Sequence, residues 1–328
     1  MRIGIDCRKI ADFGIGTYIR GLLHALAEIG GEEYVVFGPR DIAPMLPARV
    51  EHVVVDAPKY SVRELFVIGR NARIDLFHAP HYVVPFVRVP FVVTIHDLIH
   101  LHHRNPLARA YARSMIGRAV RRSREVITVS QAVRQDIAST FGHGDKISVT
   151  PNGVDPLFRP DGPRGEGRYF LFVGNDKPHK NVDRLVEAAR SVDAHLVLAG
   201  GTFERYRQHG RVMLAGFVTS RELASLYRGA IALVMPSLEE GFGLPALEAM
   251  ASGTAVITSN APALLELTRG AAIHVDANSS AAISDAMTRV MRDENARASM
   301  IQRGLARSRE FTWRRCAEMT REIYRRIT

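Results

Sequence analysis

The apolar positions of this chain fall into short, nearly unbroken runs, each followed by a longer stretch in which they return every three or four residues. A run of four or five apolar residues between turn formers is the pattern of a strand buried on both faces. The longer stretch is that of an amphipathic helix laid over it. In the first half the predicted strands are Arg2–Asp6, Tyr34–Gly38, Glu51–Val55, Leu76–His78, Phe91–Thr94, Glu125–Val129 and Ile147–Thr150. In the second half they are Tyr169–Val173, His195–Ala199, Val212–Ala215, Ala232–Met235, Ala255–Thr258 and Ala272–Val275. Strand and helix in strict alternation predict an α/β architecture with two doubly wound, Rossmann-like domains of parallel strands.

Between the two series, Pro156 to Arg168 is rich in proline, glycine and arginine and has little to bury. It reads as a linker, which divides the chain into residues 1–160 and 161–310. The segment 311–328 is helical in spacing, with Trp313, Cys316, Ala317, Thr320, Ile323 and Tyr324 on one side. In doubly wound sheets ligands sit beyond the carboxyl ends of the strands, so a cleft between two facing domains is expected.

Composition narrows the class. The chain has 328 residues, 46% hydrophobic and 24% charged, the balance of a water-facing globular protein. The most apolar region, Tyr82 to Leu101, is broken by Arg88, Pro90, His96 and Asp97, short of the roughly 18 residues that span a bilayer. The start, MRIGIDCRKI, alternates like a strand and has no signal-peptide core. Two cysteines, Cys7 and Cys316, stand in no metal spacing, and the histidines His100, His102 and His103 suggest no ligand set. The expectation is a cytoplasmic protein without a metal or other resident cofactor. A net charge of +10 favours anionic partners.

Chemistry concentrates in residues 237–253, SLEEGFGLPALEAMASG. Glu240 and Glu248 flank a turn, Gly241-Phe242-Gly243-Leu244, that opens a helix with Pro245 in its first turn. Strand, glycine turn and helix start aim free amides and a positive dipole end at an anion. A phosphate there would leave the two carboxylates to neutral hydroxyls, as on a sugar or a ribose. Gly14 and Gly16, after the first strand, open a second helix of that kind. His96 with Asp97 ends the strand at Phe91. His78 and His81 lie just past another strand and are candidates for an acceptor side.

The spacing of Glu240 and Glu248 resembles the E-x7-E motif of the retaining glycosyltransferases of family 4, which have the GT-B fold. Other stretches resemble that family in order along nearly the whole chain: Arg2–Asp6 with Gly14–Tyr18, the TIHD around His96, Ile127–Ser130, Pro151–Asp155, Gly174–Asn181, Ala215–Val218 and Pro262–Glu266. The resemblance implies a nucleoside diphosphate sugar as donor and a glycan or lipid-linked acceptor. It implies that Glu240 holds sugar hydroxyls, that Glu248 holds the ribose, and that Lys180 neutralises the leaving diphosphate. It places His96 at the far end of the sugar, Gly14 and Gly16 near the phosphates, and Val218 near the base. It also implies that the final helix packs back on the first domain. The family often has an arginine directly after Gly174; here the residue is Asn175, and Lys177 is a candidate replacement.

FHAPHYVVP and TIHDLI are similar to bacterial mannosyltransferases of polysaccharide synthesis, which favours GDP-mannose over a UDP-sugar. Two other classes are weaker. A tandem-Rossmann oxidoreductase would need a third glycine where Ile19 stands. A nucleic-acid-binding protein would need aromatic residues interleaved with its basic ones. The arginines Arg109, Arg113, Arg118, Arg121 and Arg122 line one predicted helix, whose cationic face is either solvated or rests on anionic membrane.

Overall fold

The computed structural model describes residues 1–55, 66, 73–102 and 104–328. His103 lies outside them. The strands of the first series are β1 (Arg2–Asp6), β2 (Glu33–Gly38), β3 (Val50–Val54), β4 (Leu76–Ala79), β5 (Phe91–Ile95), β6 (Glu125–Thr128) and β7 (Ile147–Val149). The second series is β8 (Tyr169–Val173), β9 (His195–Ala199), β10 (Val212–Gly216), β11 (Ala232–Met235), β12 (Ala255–Ser259) and β13 (Ile273–Val275). The helices are α1 (Ile15–Ile29), α2 (Pro106–Arg122), α3 (Gln131–Phe141), α4 (Val182–Ala189), α5 (Ser220–Gly229), α6 (Leu244–Ala251), α7 (Pro262–Thr268), α8 (Ser280–Arg292), α9 (Glu294–Ser308) and α10 (Trp313–Ile327).

Among the described residues all strand pairs are parallel, and the strands form two sheets. Their orders are β3-β2-β1-β4-β5-β6-β7 and β10-β9-β8-β11-β12-β13. In each sheet the chain starts at an inner strand, winds outward on one side, and then returns to wind outward on the other. The point of return lies between β1 and β4 in one sheet and between β8 and β11 in the other. There the connections leave in opposite directions and open a crevice at the carboxyl edge.

The chain divides into two units, residues 1–153 with 312–328, and residues 154–311. The division therefore falls at 153–154, not at 160–161. The stretch from Pro156 to Arg168 is not a free linker. Phe158 is buried edge-on to Tyr227, the Gly165 amide donates to the Ser225 carbonyl at 2.8 Å, and Arg228 Nε donates to the Pro163 carbonyl at 2.6 Å. Proline and glycine here shape a strap tied along α5, a role that composition alone does not separate from a linker.

In the first unit, α1 buries Tyr18, Ile19, Leu22, Leu23 and Leu26 in one core with Cys316, Ala317, Ile323 and Tyr324 of α10. Each large apolar side chain buried there contributes about 1.5–3 kcal/mol. That outweighs the surface ion pairs of α10, such as Arg314 with Glu318, at about 0–1 kcal/mol each. The seam also has a polar thread. Tyr324 Oη lies 2.6 Å from His78 Nδ1, His78 Nε2 lies 2.8 Å from Thr94 Oγ1, and Thr94 Oγ1 lies 3.0 Å from Tyr18 Oη. Burial pushes His78 down to about 3, so its imidazole is neutral. His78 is thus a core residue and not part of an acceptor surface.

Candidate functional site

The return point of the second sheet explains why two residues far apart in sequence meet. β8 pairs with β11, so the connections after these strands leave side by side. They are stitched by main chain: the Leu238 amide donates to the His179 carbonyl at 2.7 Å. Asn181 adds a side-chain bridge, its Nδ2 donating to the Pro236 carbonyl at 3.1 Å and to the Ala277 carbonyl at 2.7 Å. Asn181 has φ 58, the left-handed region that asparagine tolerates better than most residues. This frame brings Lys180 Nζ to 2.6 Å from Glu240 Oε1. Both side chains are largely buried, at 16% and 9% exposure, so water screens the pair weakly.

Immediately beyond Glu240, residues 241–243 form a buried turn into α6. Gly243 has φ 104, and a Cβ on it would lie 2.6 Å from Leu264 Cδ2, so both dihedral and space require glycine. No side chain caps α6, and Pro245 stands in its first turn beside Leu244. Phe242 is anchored edge-on to Phe311, with ring centroids 5.8 Å apart. Its side chain therefore holds the turn in place, and its main chain is the part that borders the site. Glu248, a turn further along α6, accepts a hydrogen bond from Tyr227 Oη at 2.9 Å. Burial pushes its carboxyl up to about 7, nearby Asp155 adds to this, and the Tyr227 hydrogen bond works against it.

The turn after β8 carries Asn175, whose Oδ1 is buried with no hydrogen-bond partner, and Lys177, which is exposed. Asp176 between them is gripped by Arg205, whose Nε and Nη2 donate to its two oxygens at 2.7 and 2.8 Å. Arg205 and Tyr206 also reach Asp183 at the start of α4. One guanidinium and one phenol thus tie both ends of the segment bearing Lys180. Val218 follows β10 at the same carboxyl edge, where the Gly216 carbonyl accepts from the Gly200 amide at 2.7 Å.

The first unit places its candidates at the carboxyl edge of its own sheet. Gly14 stands at the N-cap of α1, which no side chain caps, and the Gly16 amide donates to the Asp12 carbonyl at 2.9 Å. His96 ends β5, its ring edge-on to Tyr18 at 4.7 Å. Its Nε2 lies 3.0 Å from the Pro80 carbonyl, so Nε2 carries the proton and Nδ1 is the acceptor. Burial lowers its pKa, which keeps it neutral. Asp97 caps the next turn through the Ile99 amide at 3.1 Å and is not the partner of His96. His81 is buried 3.2 Å from Asp6. Burial opposes the charge on Asp6, but Arg8 and His81 hold its carboxyl well below the usual range.

Tyr227, Arg205, Asp176 and Tyr18 were not legible as site residues in the sequence. Each acts through a contact between distant elements; Tyr18 and Asp176 stand within family-like stretches, Gly14–Tyr18 and Gly174–Asn181, but nothing in those stretches marks their partners. Among the described residues no three His, Cys, Asp or Glu side chains gather as a metal-holding group.

Two family models match the chain: "Glycosyltransferase Family 4" over residues 14–157 and "Glycosyl transferases group 1" over residues 155–307. The O-antigen chain mannosyltransferase B of Escherichia coli is 28% identical over 78% of this chain and 75% of its own length. A glycogen synthase of Mycobacterium tuberculosis is 33% identical over 78% of this chain and 69% of its own. Among solved structures, the sucrose-phosphate synthase of Thermosynechococcus elongatus superposes with a TM-score of 0.83, at 20% identity, covering 100% of this chain and 99% of its own.

Proposed function

This chain is a glycosyltransferase of group 1 and family 4, and on that premise we propose that it transfers a hexose from a nucleoside diphosphate sugar to an acceptor hydroxyl with retention of anomeric configuration. The observation that carries this reading is the Lys180–Glu240 pair at the mouth of an uncapped helix. As the bond from anomeric carbon to diphosphate breaks, negative charge grows on the leaving phosphate. Lys180 and the amides of residues 241–244 oppose that charge where water is scarce. Drawn to the phosphate, Lys180 releases Glu240, which is then free to hold the sugar ring's hydroxyls and stabilise positive charge developing on it. Glu248 takes the ribose hydroxyls, and the backbone around Val218 borders the base. The Nδ1 of His96 accepts from a hydroxyl at the sugar's far end. Asn175 Oδ1, buried and unpartnered, gains a hydrogen bond when the donor arrives.

Mannose is the favoured sugar, with GDP as carrier, supported by the likeness to the O-antigen mannosyltransferase. A UDP-sugar is the second reading within the same chemistry. The acceptor is read as a growing glycan or lipid-linked saccharide, met at the inner face of the cytoplasmic membrane. No metal is needed, because a lysine and helix amides supply the charge. The test is donor hydrolysis and transfer across GDP- and UDP-sugars, with and without excess EDTA, followed by proton NMR of the new linkage. GDP-mannose should turn over best, EDTA should leave the rate unchanged, and the anomeric configuration should be retained. An inverted product, or activity restored only by a divalent cation, would overturn the corresponding step.

A further inference from the structure

The amino edge of the second sheet, opposite the edge that carries Lys180 and Glu240, opens on a cavity. The strands are parallel, so β9 and β10 begin on this edge, at His195 and Val212. α4 runs back from one edge to the other. Asn181 precedes its first residue and Arg190 follows its last, about 12 Å on at the ~1.5 Å rise of a helix. Between the end of α4 and the turn into β10 the cavity has a volume of about 610 Å³. Small-molecule sites run from about 300 to 1,000 Å³.

The floor of the cavity is apolar. Val186, Val192 and Leu196 belong to the core of the unit, and Val212 packs against that core half-buried. The rim is cationic, with Arg190, His209 and Arg211. Arg190 is exposed, and its Nη2 donates to His209 Nδ1 at 3.0 Å. Among the described residues no carboxylate pairs with it. Its bond to Nδ1 leaves the proton of the neutral imidazole on Nε2, which is a further donor. Arg211 holds Asp193 in an exposed ion pair at 2.5 Å.

A wholly apolar ligand would leave Arg190 without a counter-charge. Inorganic phosphate would meet the cations and leave the floor to water. We propose that the cavity binds a small organic phosphate monoester, its oxyanion at Arg190, His209 and Arg211 and its apolar body over Val186, Val192, Leu196 and Val212. Three side chains offer donors, which suits the three terminal oxygens of a phosphate better than the two of a carboxylate. The site shares no residue with the one read for the sugar donor and lies at the other end of α4 from Lys180.

The experiment is calorimetric titration of the full chain with phenyl phosphate and, separately, with inorganic phosphate. Both are run in excess GDP, which on the reading above fills the donor site. Phenyl phosphate should bind one to one, about 10- to 100-fold tighter than inorganic phosphate, because only the ester covers the apolar floor. Arg190→Gln should weaken phenyl phosphate about 10- to 100-fold, the loss of one charge-assisted hydrogen bond. Asp193→Asn, which frees Arg211, should tighten it about two- to fivefold. Val212→Thr keeps the shape of the floor and adds a hydroxyl; it should weaken phenyl phosphate and leave inorganic phosphate unchanged.

Absence of binding by phenyl phosphate overturns the proposal. Equal affinity for inorganic phosphate would show an adventitious ion only and overturns it too. Binding that Lys180→Ala removes and Arg190→Gln leaves intact would put the ligand in the donor site and remove this one. A chain without donor hydrolysis that still binds phenyl phosphate through Arg190 would keep the cavity's role and lose the transferase reading.

Discussion

Lys180 Nζ donates to Glu240 Oε1 at 2.6 Å, so the two groups that would act on opposite ends of the donor's scissile bond are joined to each other. An arriving diphosphate competes for the lysine, and its binding uncovers the carboxylate. Lys180→Ala should therefore cost about 10²- to 10³-fold in turnover, the loss seen when one preorganised oxyanion donor is removed. It should also lower the melting temperature, because Glu240 would remain largely buried without its partner. Glu240→Gln should abolish transfer and lower the melting temperature less than Lys180→Ala does, because an amide oxygen can still accept from Lys180. Wild-type kinetics in either variant would show that the pair is structural.

The Tyr227–Glu248 contact gives a pH dependence with a defined sign. Burial raises the Glu248 carboxyl from an ordinary 4.5 to about 7. A folded-state pKa above the unfolded one means that the folded form holds the proton more tightly. The stability this contributes is complete below about 4.5 and is lost as pH rises to about 7. Glu248→Gln should therefore raise the melting temperature relative to wild type at pH 8 more than at pH 5. Ribose hydroxyls donate better to the anion, so nucleoside diphosphate binding by wild type should tighten as pH rises through that same region. Calorimetric titrations giving Glu248→Gln the same pH profile as wild type would assign the titration elsewhere.

Arg205 is a positioning residue for the segment that carries Lys180. Its grip on Asp176 is bidentate but half exposed, the kind of pair that contributes about 0.2–1 kcal/mol. Arg205→Ala should accordingly raise the donor KM about two- to fivefold and leave kcat nearly unchanged. Asp176→Asn should do the same, and the double variant should be no worse than either one. Additive effects would mean that the two residues act separately.

Gly21 on α1 lies against the indole of Trp313; a Cβ there would clash with it, 2.1 Å from Trp313 Cε2. Gly21→Ala should destabilise the first unit by about 1–3 kcal/mol, the usual cost of overpacking. Trp313→Leu in the same chain should recover part of this in denaturant unfolding. An alanine variant as stable as wild type would mean that α10 shifts on α1 at no cost.

The strands were legible because a parallel strand covered on both faces is a short apolar run with polar ends, and β1, β8, β9 and β11 match their predicted limits residue for residue. The Glu240–Glu248 turn was legible because its chemistry lies within one turn and one helix. What escaped depends on tertiary contact. Tyr227 lies in the last turn of α5 with nothing local to mark it, and Arg205 meets Asp176 only because β8 and β9 are neighbours. His78 follows the apolar run at Leu76 like a site histidine, but Tyr324 and Thr94 occupy both of its nitrogens. The strap before β8 has the composition of a linker, while its hydrogen bonds to α5 are invisible in composition.

The chain enters and leaves the second unit at adjoining points, with the Val154 amide donating to the Phe311 carbonyl at 3.1 Å. Residues 312–328 then return to the first unit and supply Cys316, Ala317, Ile323 and Tyr324 to its core. On the ribosome this reverses the usual order of maturation. The inner unit emerges whole and can close at once, while the outer one waits with a groove open along α1. At ~5–20 residues per second, the intervening segment takes roughly 10–30 s to synthesise. For that interval the nascent chain exposes an apolar surface that only its own later residues can cover, which makes the pace of translation and the reach of chaperones part of how this enzyme is made.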